Sequence, residues 1–382
     1  MSSRPLTVVA LSGGVDSATA AALLVEQGER VVGVTMRLYD PRGTSAAVGR
    51  CCGPRDVEDA RRVASHLGIP FYVVDHSAEF VRTVIADFIA EYGDGRTPNP
   101  CVRCNEHIKF TPLWRWARAI GATSLVTGHY ARIVDTDEGR QLARARDANK
   151  DQSYFLFAMP RSALSWVRFP LGELTKEQVR QQARRLGLPN STKAESQEIC
   201  FIPDGDHAAF VAAQRPEAIR PGAILDGRGG IVGRHDGVHR FTVGQRRGLG
   251  SARPSRPGET PRPRYVVAID PRAATITVGE AGEVLRREMV VDSLVLWQRD
   301  LPATARVQIR HRHPAQPASL HRHSDGPVEV HFTEPQRAPA PGQAAVFYVD
   351  ERVIGGGFIA SPSPDVVPAA GLARAIRTAI RS

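Results

Sequence analysis

The chain has 382 residues, of which 42% are hydrophobic and 24% charged, a composition typical of a globular protein with two or three domains. It contains no apolar run long enough to span a membrane and no signal-peptide pattern at its start, so we expect a cytoplasmic protein. The formal net charge is +10, and only four of the 50 basic residues are lysines. This excess of arginine indicates either a polyanionic partner or a genome that favours arginine codons.

Strand-like and helix-like segments alternate in the first half of the chain. Short apolar runs of the buried-strand type lie at 6–11, 30–38, 70–75 and 123–128, and helical patterns follow the first three of them. Strands that alternate with helices of this length are typical of βαβ units. The sequence therefore predicts an α/β domain with a parallel sheet and helices on both faces.

Beyond residue 203 helical patterns become scarce, and short strand-like runs lie between segments rich in Gly, Pro and Arg. This pattern predicts a small β-rich central domain followed by a C-terminal β-barrel. We place the catalytic domain at 1–203, the central domain at 204–284, the barrel at 285–365 and a tail at 366–382. Residues 206–264 hold eleven arginines against five acidic residues, typical of contact with an RNA backbone or of a solvated surface.

The most informative motif is SGGVDS at 12–17, which lies between the first strand and the first helix. Paired glycines let several backbone N–H groups point at one anion, and the helix N-terminus adds its dipole. The lysine-containing pattern of Walker loops is missing here. The motif instead resembles the PP-loop of ATP pyrophosphatases, which implies cleavage of ATP between its α and β phosphates. Asp16 is then a candidate ligand for Mg²⁺ on the pyrophosphate; a glycine turn without a ligand is the alternative.

The five cysteines argue against a disulfide framework, because their number is odd and the chain is large. Cys101 and Cys104 form a C-x-x-C pair, and Cys200 follows in the segment EICFI. Such a pair is typical of a redox couple, half of a zinc site or part of an iron–sulfur site, and buried inert thiols are the alternative. We expect Cys51 and Cys52, adjacent in a Gly-rich segment, to be loop thiols.

Six segments carry a resemblance to one family, in order over about nine tenths of the chain: SGGVDS, NPCVRCN, TGHYAR, NKDQSYFL, EICFIP and FTVGQRRGLG. They resemble the bacterial tRNA-uridine 2-sulfurtransferases, also called tRNA-specific 2-thiouridylases, of the PP-loop ATP pyrophosphatase superfamily. The resemblance implies an adenine nucleotide alpha hydrolase-like fold for the N-terminal domain. It also implies that ATP adenylates O2 of the wobble uridine of tRNA and that sulfur replaces this oxygen, giving 2-thiouridine, AMP and pyrophosphate.

The same resemblance implies cofactors, partners and site residues. ATP and Mg²⁺ would be required, the substrates would be the tRNAs for lysine, glutamate and glutamine, and a cysteine desulfurase or a sulfur relay protein would be the donor. Cys200 would carry a persulfide, and Cys104 would release the sulfur by forming a disulfide with Cys200. The residues implied to hold ATP are Ala10, Leu11, Ser12, Gly13, Gly14, Val15, Asp16, Ser17, Met36 and Gly128. Those implied to contact tRNA are Asn99, Pro100, His129, Lys150, Asp151, Gln152, Arg310, His311 and Gln343.

Cys101 departs from the family pattern, because many members have Asp at this position, where it is a candidate general base. A thiol is a different acid and a soft ligand, so that role does not transfer. Cys101, Cys104 and Cys200 are instead candidates to hold three irons of a [4Fe–4S] cluster, with the fourth iron open to sulfide. Persulfide and cluster chemistry are therefore both open from the sequence.

Two other classes of function compete with a sulfurtransferase. A PP-loop ligase that adds nitrogen would have dispensable cysteines and no stimulation by tRNA. A non-catalytic RNA-binding protein with a relic nucleotide loop would bind tRNA without releasing pyrophosphate. The intact SGGVDS segment argues against the relic, and the ordered cysteine motifs argue against the ligase.

Overall fold

The structure, a computed structural model, describes residues 4–38, 54–194, 199–202, 204–249, 263–298, 300–322 and 324–361. Cys51, Cys52 and the predicted tail at 366–382 lie outside these ranges. Within them, no helix has both the length and the apolar character that a membrane crossing requires.

The N-terminal part contains a five-stranded parallel sheet, as predicted, and in addition a hairpin that the sequence pattern did not predict. The strands of this part are β1 (Leu6–Ala10), β2 (Arg30–Arg37), β3 (Phe71–Asp75), β4 (Ala122–Val126), β5 (Arg132–Thr136), β6 (Gly139–Ala143) and β7 (Val167–Arg168). Five of them pair in the order β3-β2-β1-β4-β7, all parallel. The other two, β5 and β6, pair with each other in antiparallel fashion.

Helices cover both faces of the parallel sheet. They are α1 (Val15–Glu26), α2 (Pro54–His66), α3 (Ser77–Phe80), α4 (Ala86–Gly93), α5 (Pro100–Cys104), α6 (Pro112–Ala119), α7 (Ser153–Leu156) and α8 (Lys176–Arg185). A π-helical turn, Val81–Ile85, joins α3 to α4, and another, Asn105–Lys109, follows α5. One buried cluster joins the sheet to α1, α2 and α8, and a second joins it to α3, α4, α5 and α6.

The second half of the described chain is β-rich, as expected. Helix α9 (His207–Gln214) leads into a four-stranded sheet of β8 (Gly222–Leu225), β9 (Ile231–His235), β10 (Tyr265–Asp270) and β11 (Thr275–Gly279). The barrel consists of β12 (Leu285–Leu296), β13 (Thr304–Gln308), β14 (Gln316–Arg322), β15 (Val328–Arg337), β16 (Ala344–Val349) and β17 (Arg352–Ile359). Antiparallel pairing of β12 with β17 closes it into six strands.

A buried apolar cluster fastens the barrel to the N-terminal domain. It contains Phe157 and Tyr154 from the N-terminal side and Trp297 and Tyr348 from the barrel. The indole Nε1 of Trp297 donates a hydrogen bond to the carbonyl oxygen of Phe157 at 2.6 Å, and both residues are buried. Because the hairpin also meets the barrel, through pairing of Arg352 with Ala143, the two domains share one continuous sheet.

We predict that Trp297→Phe lowers the free energy of unfolding by about 1–3 kcal/mol, because the buried carbonyl of Phe157 loses its donor. Urea unfolding followed by tryptophan fluorescence and circular dichroism measures the change. Val290→Ala, at a position with 40% of its surface exposed on β12, is the matched control and should cost less. Equal costs for the two variants would contradict the importance of this hydrogen bond.

Candidate active site

The phosphate loop is in backbone contact with the first turn of α2. Gly13 has a φ of +73°, and a Cβ on it would lie 2.4 Å from the backbone oxygen of Asp56. Only glycine fits there. The backbone N–H of Ser12 donates to Oγ of Ser17 at 3.1 Å, and this hydroxyl donates to the carbonyl oxygen of Gly14 at 3.1 Å. These contacts fix the curvature of the loop.

The loop opens onto a helix N-terminus without a capping side chain. Gly14 is the N-cap of α1 and makes no side-chain capping hydrogen bond. The first N–H groups of α1 therefore remain for an anion. Gly128, just after β4, lies so close that a Cβ on it would be 2.6 Å from the backbone nitrogen of Ser17. Met36, at the carboxyl end of β2, is 7% exposed and lies at the same edge of the sheet.

The remaining residues of the predicted ATP site lie along the same edge of the sheet. Ala10 ends β1, Val15 begins α1, and the carbonyl of Leu11 accepts a hydrogen bond from Oγ1 of Thr35 at 2.6 Å. The structure thus brings the predicted ATP residues together around the carboxyl ends of three neighbouring parallel strands. In open α/β sheets this is the edge at which ligands bind.

Asp16 is held by two residues from distant parts of the chain. The ammonium of Lys176, the first residue of α8, lies 2.6 and 2.8 Å from the two carboxylate oxygens, and the hydroxyl of Tyr130 donates to Oδ1 at 2.9 Å. The carboxylate is thus already neutralised by a lysine. Contact of Asp16 with Mg²⁺ stays a prediction.

A second lysine lies behind the loop. Nζ of Lys193 is 3.2 Å from the carbonyl oxygen of Gly13, 2.9 Å from Oδ1 of Asp56 and 2.6 Å from Oδ2 of Asp59. Burial lowers the pKa of Lys193, but the hydrogen bonds and charges of the two aspartates outweigh it, so the pKa is raised. The side chain of Asn190 donates to the same Gly13 carbonyl at 3.1 Å.

Sequence reasoning missed Lys176, Lys193, Tyr130 and Asn190 as parts of this site. One signal was available, because a chain that uses arginine for nearly every basic position keeps only four lysines. Two of those four lie at the phosphate loop. Tyr130 lies in TGHYAR, one of the segments that carry the resemblance, whereas no comparable signal marks the asparagine.

The structure brings two of the three candidate catalytic cysteines to one hydrophobic cluster. Cys104 is buried in it with 7% of its surface exposed, and Met36 belongs to the same cluster. Cys200 is half-buried and packs against the cluster, while Cys101 is exposed. Cys104 and Cys200 thus contact the same hydrophobic cluster, although they lie 96 positions apart in sequence.

The three cysteines do not form a metal site as they are placed. Among the described residues, no group of three or more His, Cys, Asp or Glu side chains is arranged to hold a metal ion. A cluster with one open iron requires three convergent thiolates. The exposed thiol of Cys101 and the buried thiol of Cys104 do not provide such a set.

Two of the residues implied to contact tRNA, Asn99 and Pro100, lie at the start of α5. Asn99 is its N-cap, with Oδ1 accepting from the backbone N–H of Val102 at 3.4 Å, and Pro100 is its first residue. Gln343 of the barrel donates to the carbonyl oxygens of residues 97 and 98 at 3.0 and 3.2 Å. The amide group of Gln343 thus holds the segment before Asn99, and its contact with tRNA stays a prediction.

Two of the predicted tRNA residues that follow β6 have structural partners. The carboxylate of Asp151 accepts hydrogen bonds from the side chain of Arg144, the backbone of Ala145 and both the backbone and hydroxyl of Ser153. The side chain of Gln152 accepts from the backbone N–H of Tyr130 at 2.9 Å. Lys150, in the turn between β6 and Asp151, is half-buried. Contact of these side chains with tRNA stays a prediction.

A basic cavity of about 390 Å³ lies between this segment and the barrel. His311 lines it, with its ring 4.6 Å from that of Phe155, and Arg310 lies next in sequence with its Nη1 on the carbonyl of Arg337 at 3.3 Å. Three arginines line the cavity, Arg144, Arg306 and Arg312, against two aspartates, Asp151 and Asp350. Burial lowers the pKa values of His311 and His313, so the arginines carry the positive charge that suits a phosphate-rich partner.

His129 follows β4, and its ring packs against those of Phe110 and Phe169, with centroids 6.2 and 6.1 Å away. Burial, and then the cation of Lys109, hold its pKa well below the ordinary value of a histidine. Its Nδ1 lies 2.8 Å from Oγ1 of Thr127. The ring is therefore neutral near pH 7, which suits a hydrogen bond or stacking better than pairing with a phosphate.

The fold and this site define a class, the adenine nucleotide alpha hydrolase-like domains that bind a nucleotide at a glycine loop between the first strand and the first helix. Three family profiles match the chain: a tRNA methyl transferase HUP domain at 6–204, a tRNA methyl transferase PRC-barrel domain at 208–280 and an aminomethyltransferase beta-barrel domain at 286–359.

Curated relatives match nearly the whole chain. The tRNA-specific 2-thiouridylase MnmA of Magnetococcus marinus is 48% identical over 357 residues, 92% of this chain and 98% of the relative. That of Syntrophotalea carbinolica is 49% identical over 356 residues, again 92% and 98%. The chain therefore belongs to the tRNA-specific 2-thiouridylase family, which confirms the resemblance of the motifs and makes it a sulfur-transferring enzyme.

A solved 4-thiouridine synthetase in complex with RNA and ATP matches more distantly. It is 17% identical, with a TM-score of 0.36, over 56% of this chain and 51% of that one.

We predict that Gly13→Ala weakens ATP binding at least about 100-fold, because the added methyl group would clash with the Asp56 backbone in a left-handed conformation. Equilibrium binding of a labelled ATP analogue measures the loss. Gly68→Ala is the matched control, since Gly68 also has a positive φ, of 65°, but a Cβ there meets nothing within 4 Å. It should cost about 1 kcal/mol of stability and leave ATP binding intact. Equal losses of ATP binding in the two variants would contradict the role of the Gly13–Asp56 contact in ATP binding.

Proposed function

We propose that this enzyme uses ATP to activate O2 of the wobble uridine of tRNA and replaces this oxygen with sulfur carried as a persulfide on Cys200. The observation that supports the proposal most is the shared cluster of Cys104, Cys200 and Met36. This hydrophobic cluster contains Cys104 and Met36, one of the predicted ATP residues, and Cys200 packs against it. A nitrogen-adding ligase has no use for such an arrangement.

ATP binding rests on the loop and on the lysine beside it. The N–H groups at the start of α1 bind the phosphates. The ammonium of Lys176, which pairs with Asp16 of the loop, provides a cation beside them. MgATP is the form supplied by the cell. Attack of the uridine O2 on the α phosphorus forms the O–P bond and releases pyrophosphate, so that O2 can leave as part of AMP.

Sulfur transfer then proceeds in two displacements. The terminal sulfur of the Cys200 persulfide attacks C2 of the activated uridine, and AMP leaves with the former O2. The thiolate of Cys104 attacks Sγ of Cys200, which forms a Cys104–Cys200 disulfide and releases 2-thiouridine. An external thiol reductant restores both cysteines, and a cysteine desulfurase or a sulfur relay protein reloads Cys200.

The tRNA lies, in this proposal, across the junction between the N-terminal domain and the barrel. The basic cavity beside His311 and the start of α5 at Asn99 open onto this junction. We propose the tRNAs for lysine, glutamate and glutamine as substrates and the cytoplasm as the compartment. The wobble base must leave its stack to reach the thiols.

The alternative mechanism uses a [4Fe–4S] cluster, which the presence of Cys101 suggested. As the three cysteines are placed they do not fit a cluster, so no step is assigned to iron. The persulfide route needs only two thiols, those of Cys104 and Cys200, which contact the same hydrophobic cluster.

We predict that the enzyme forms 2-thiouridine in an unmodified tRNA transcript when it is given MgATP, a cysteine desulfurase and cysteine. Mass analysis of the digested nucleosides measures the product, and the iron content is measured on the same anaerobically purified sample. Cys104→Ser and Cys200→Ser should each lower the product at least about 1,000-fold, because each removes one of the two displacements.

Cys101→Asp is the matched variant on the same helix as Cys104. It should keep activity after aerobic, iron-free purification. Loss of activity in this variant, with iron retained by the wild type, would favour the cluster. Pyrophosphate release without any thiolated base under either donor, sulfide or desulfurase, would instead favour a nitrogen-adding ligase.

A further inference from the structure

The carbonyl group of Gly13 is anchored from behind the phosphate loop. Two donors from the segment after α8 reach its oxygen, Nδ2 of Asn190 at 3.1 Å and Nζ of Lys193 at 3.2 Å. Asn190 is 7% exposed. The next carbonyl, that of Gly14, accepts the first hydrogen bond of α1, from the backbone N–H of Ala18 at 3.2 Å. The first hydrogen bond of α1 thus goes to Gly14, and the carbonyl oxygen of Gly13 is held by two side chains.

Lys193 has no donor left for a phosphate in this arrangement. An ammonium group has three N–H donors. The three oxygens that surround it, from Gly13, Asp56 and Asp59, lie at 3.2, 2.9 and 2.6 Å. Two carboxylates beside it also offset its charge toward an anion. These contacts favour a lysine that holds the loop over one that binds the nucleotide.

The direction of the Gly13 carbonyl decides the direction of the Gly14 N–H. The peptide bond is planar, and in its trans form the carbonyl and the following N–H point to opposite sides. No cis peptide bond occurs among the described residues. With its oxygen held toward Asn190 and Lys193, this peptide points the N–H of Gly14 away from those two side chains.

We propose that Asn190 and Lys193 are positioning residues that hold the Gly13–Gly14 peptide so that the Gly14 N–H is oriented toward the phosphates of ATP. The inference rests on the proposed ATP site but not on thiolation. Since glycines rotate freely, an unheld peptide would spend part of its time with the carbonyl oxygen facing the phosphates. That orientation repels the anion.

The test compares a ligand with phosphates to one without them. Asn190→Leu and Lys193→Met should each weaken binding of α,β-methylene ATP by at least about ten-fold in titration calorimetry, while adenosine affinity stays within about two-fold. Because both side chains act on one carbonyl, the double variant should lose little more than the worse single variant. In turnover, KM for ATP should rise more than kcat falls.

Arg62→Met is the control, since Arg62 is exposed on α2 and pairs only with Glu58 among the described residues. It should bind the analogue normally. Where Lys193→Met fails to fold, Asp59→Asn provides the milder test, with a smaller loss in the same direction.

Three outcomes would overturn the inference. They are unchanged analogue binding in both variants, equal loss of adenosine and analogue, or a loss in Lys193→Met alone, which would indicate direct contact with phosphate. Failure of the wild type to thiolate tRNA, with the binding pattern as expected, would contradict the proposed function and leave this inference intact.

Discussion

The backbone contact between Gly13 and Asp56 sets the geometry of the nucleotide end of this enzyme. Because the phosphate loop touches the first turn of α2 without an intervening side chain, loop and helix have one relative position. Asp56 in that turn and Asp59 in the next turn of α2 hold Lys193, and Lys193 also contacts the carbonyl oxygen of Gly13 in the loop. A short ring of contacts thus links three segments that are far apart in sequence. The N-terminus of α1, which follows the loop, has no capping side chain, so its first N–H groups can bind phosphate.

The second constraint is the apolar junction between the N-terminal domain and the barrel. Trp297, Phe157 and Tyr348 belong to one buried cluster, so the barrel packs as part of the catalytic domain and not as a tethered module. Through Gln343 the barrel also holds the two residues before Asn99. The surface proposed for tRNA is therefore composite, and neither domain supplies it alone. The basic side chains around His311 lie along this same junction.

The thiols illustrate how environment separates residues that look alike in sequence. Cys101 and Cys104 are three positions apart on one short helix, yet the first is exposed and the second lies in the apolar cluster beneath the sheet. Cys200, in the segment 199–202, is partly buried and packs against that cluster. A C-x-x-C spacing predicts a common role for its two members, whereas the structure places Cys104, and not Cys101, in the cluster against which Cys200 packs.

Local patterns in the sequence determined the parallel sheet, the glycine loop, the order of the domains and the family, because apolar periodicity and glycine spacing report on backbone that forms within short segments. The hairpin β5–β6 was missed, since its strands are stabilised by each other and by the barrel, not by a local apolar pattern. The site was predicted only in its contiguous motifs. The pairing of Asp16 with Lys176 spans 160 residues, and that of Gly13 with Lys193 spans 180. Such contacts depend on the path of the whole chain through the fold, and only the tertiary structure decided them.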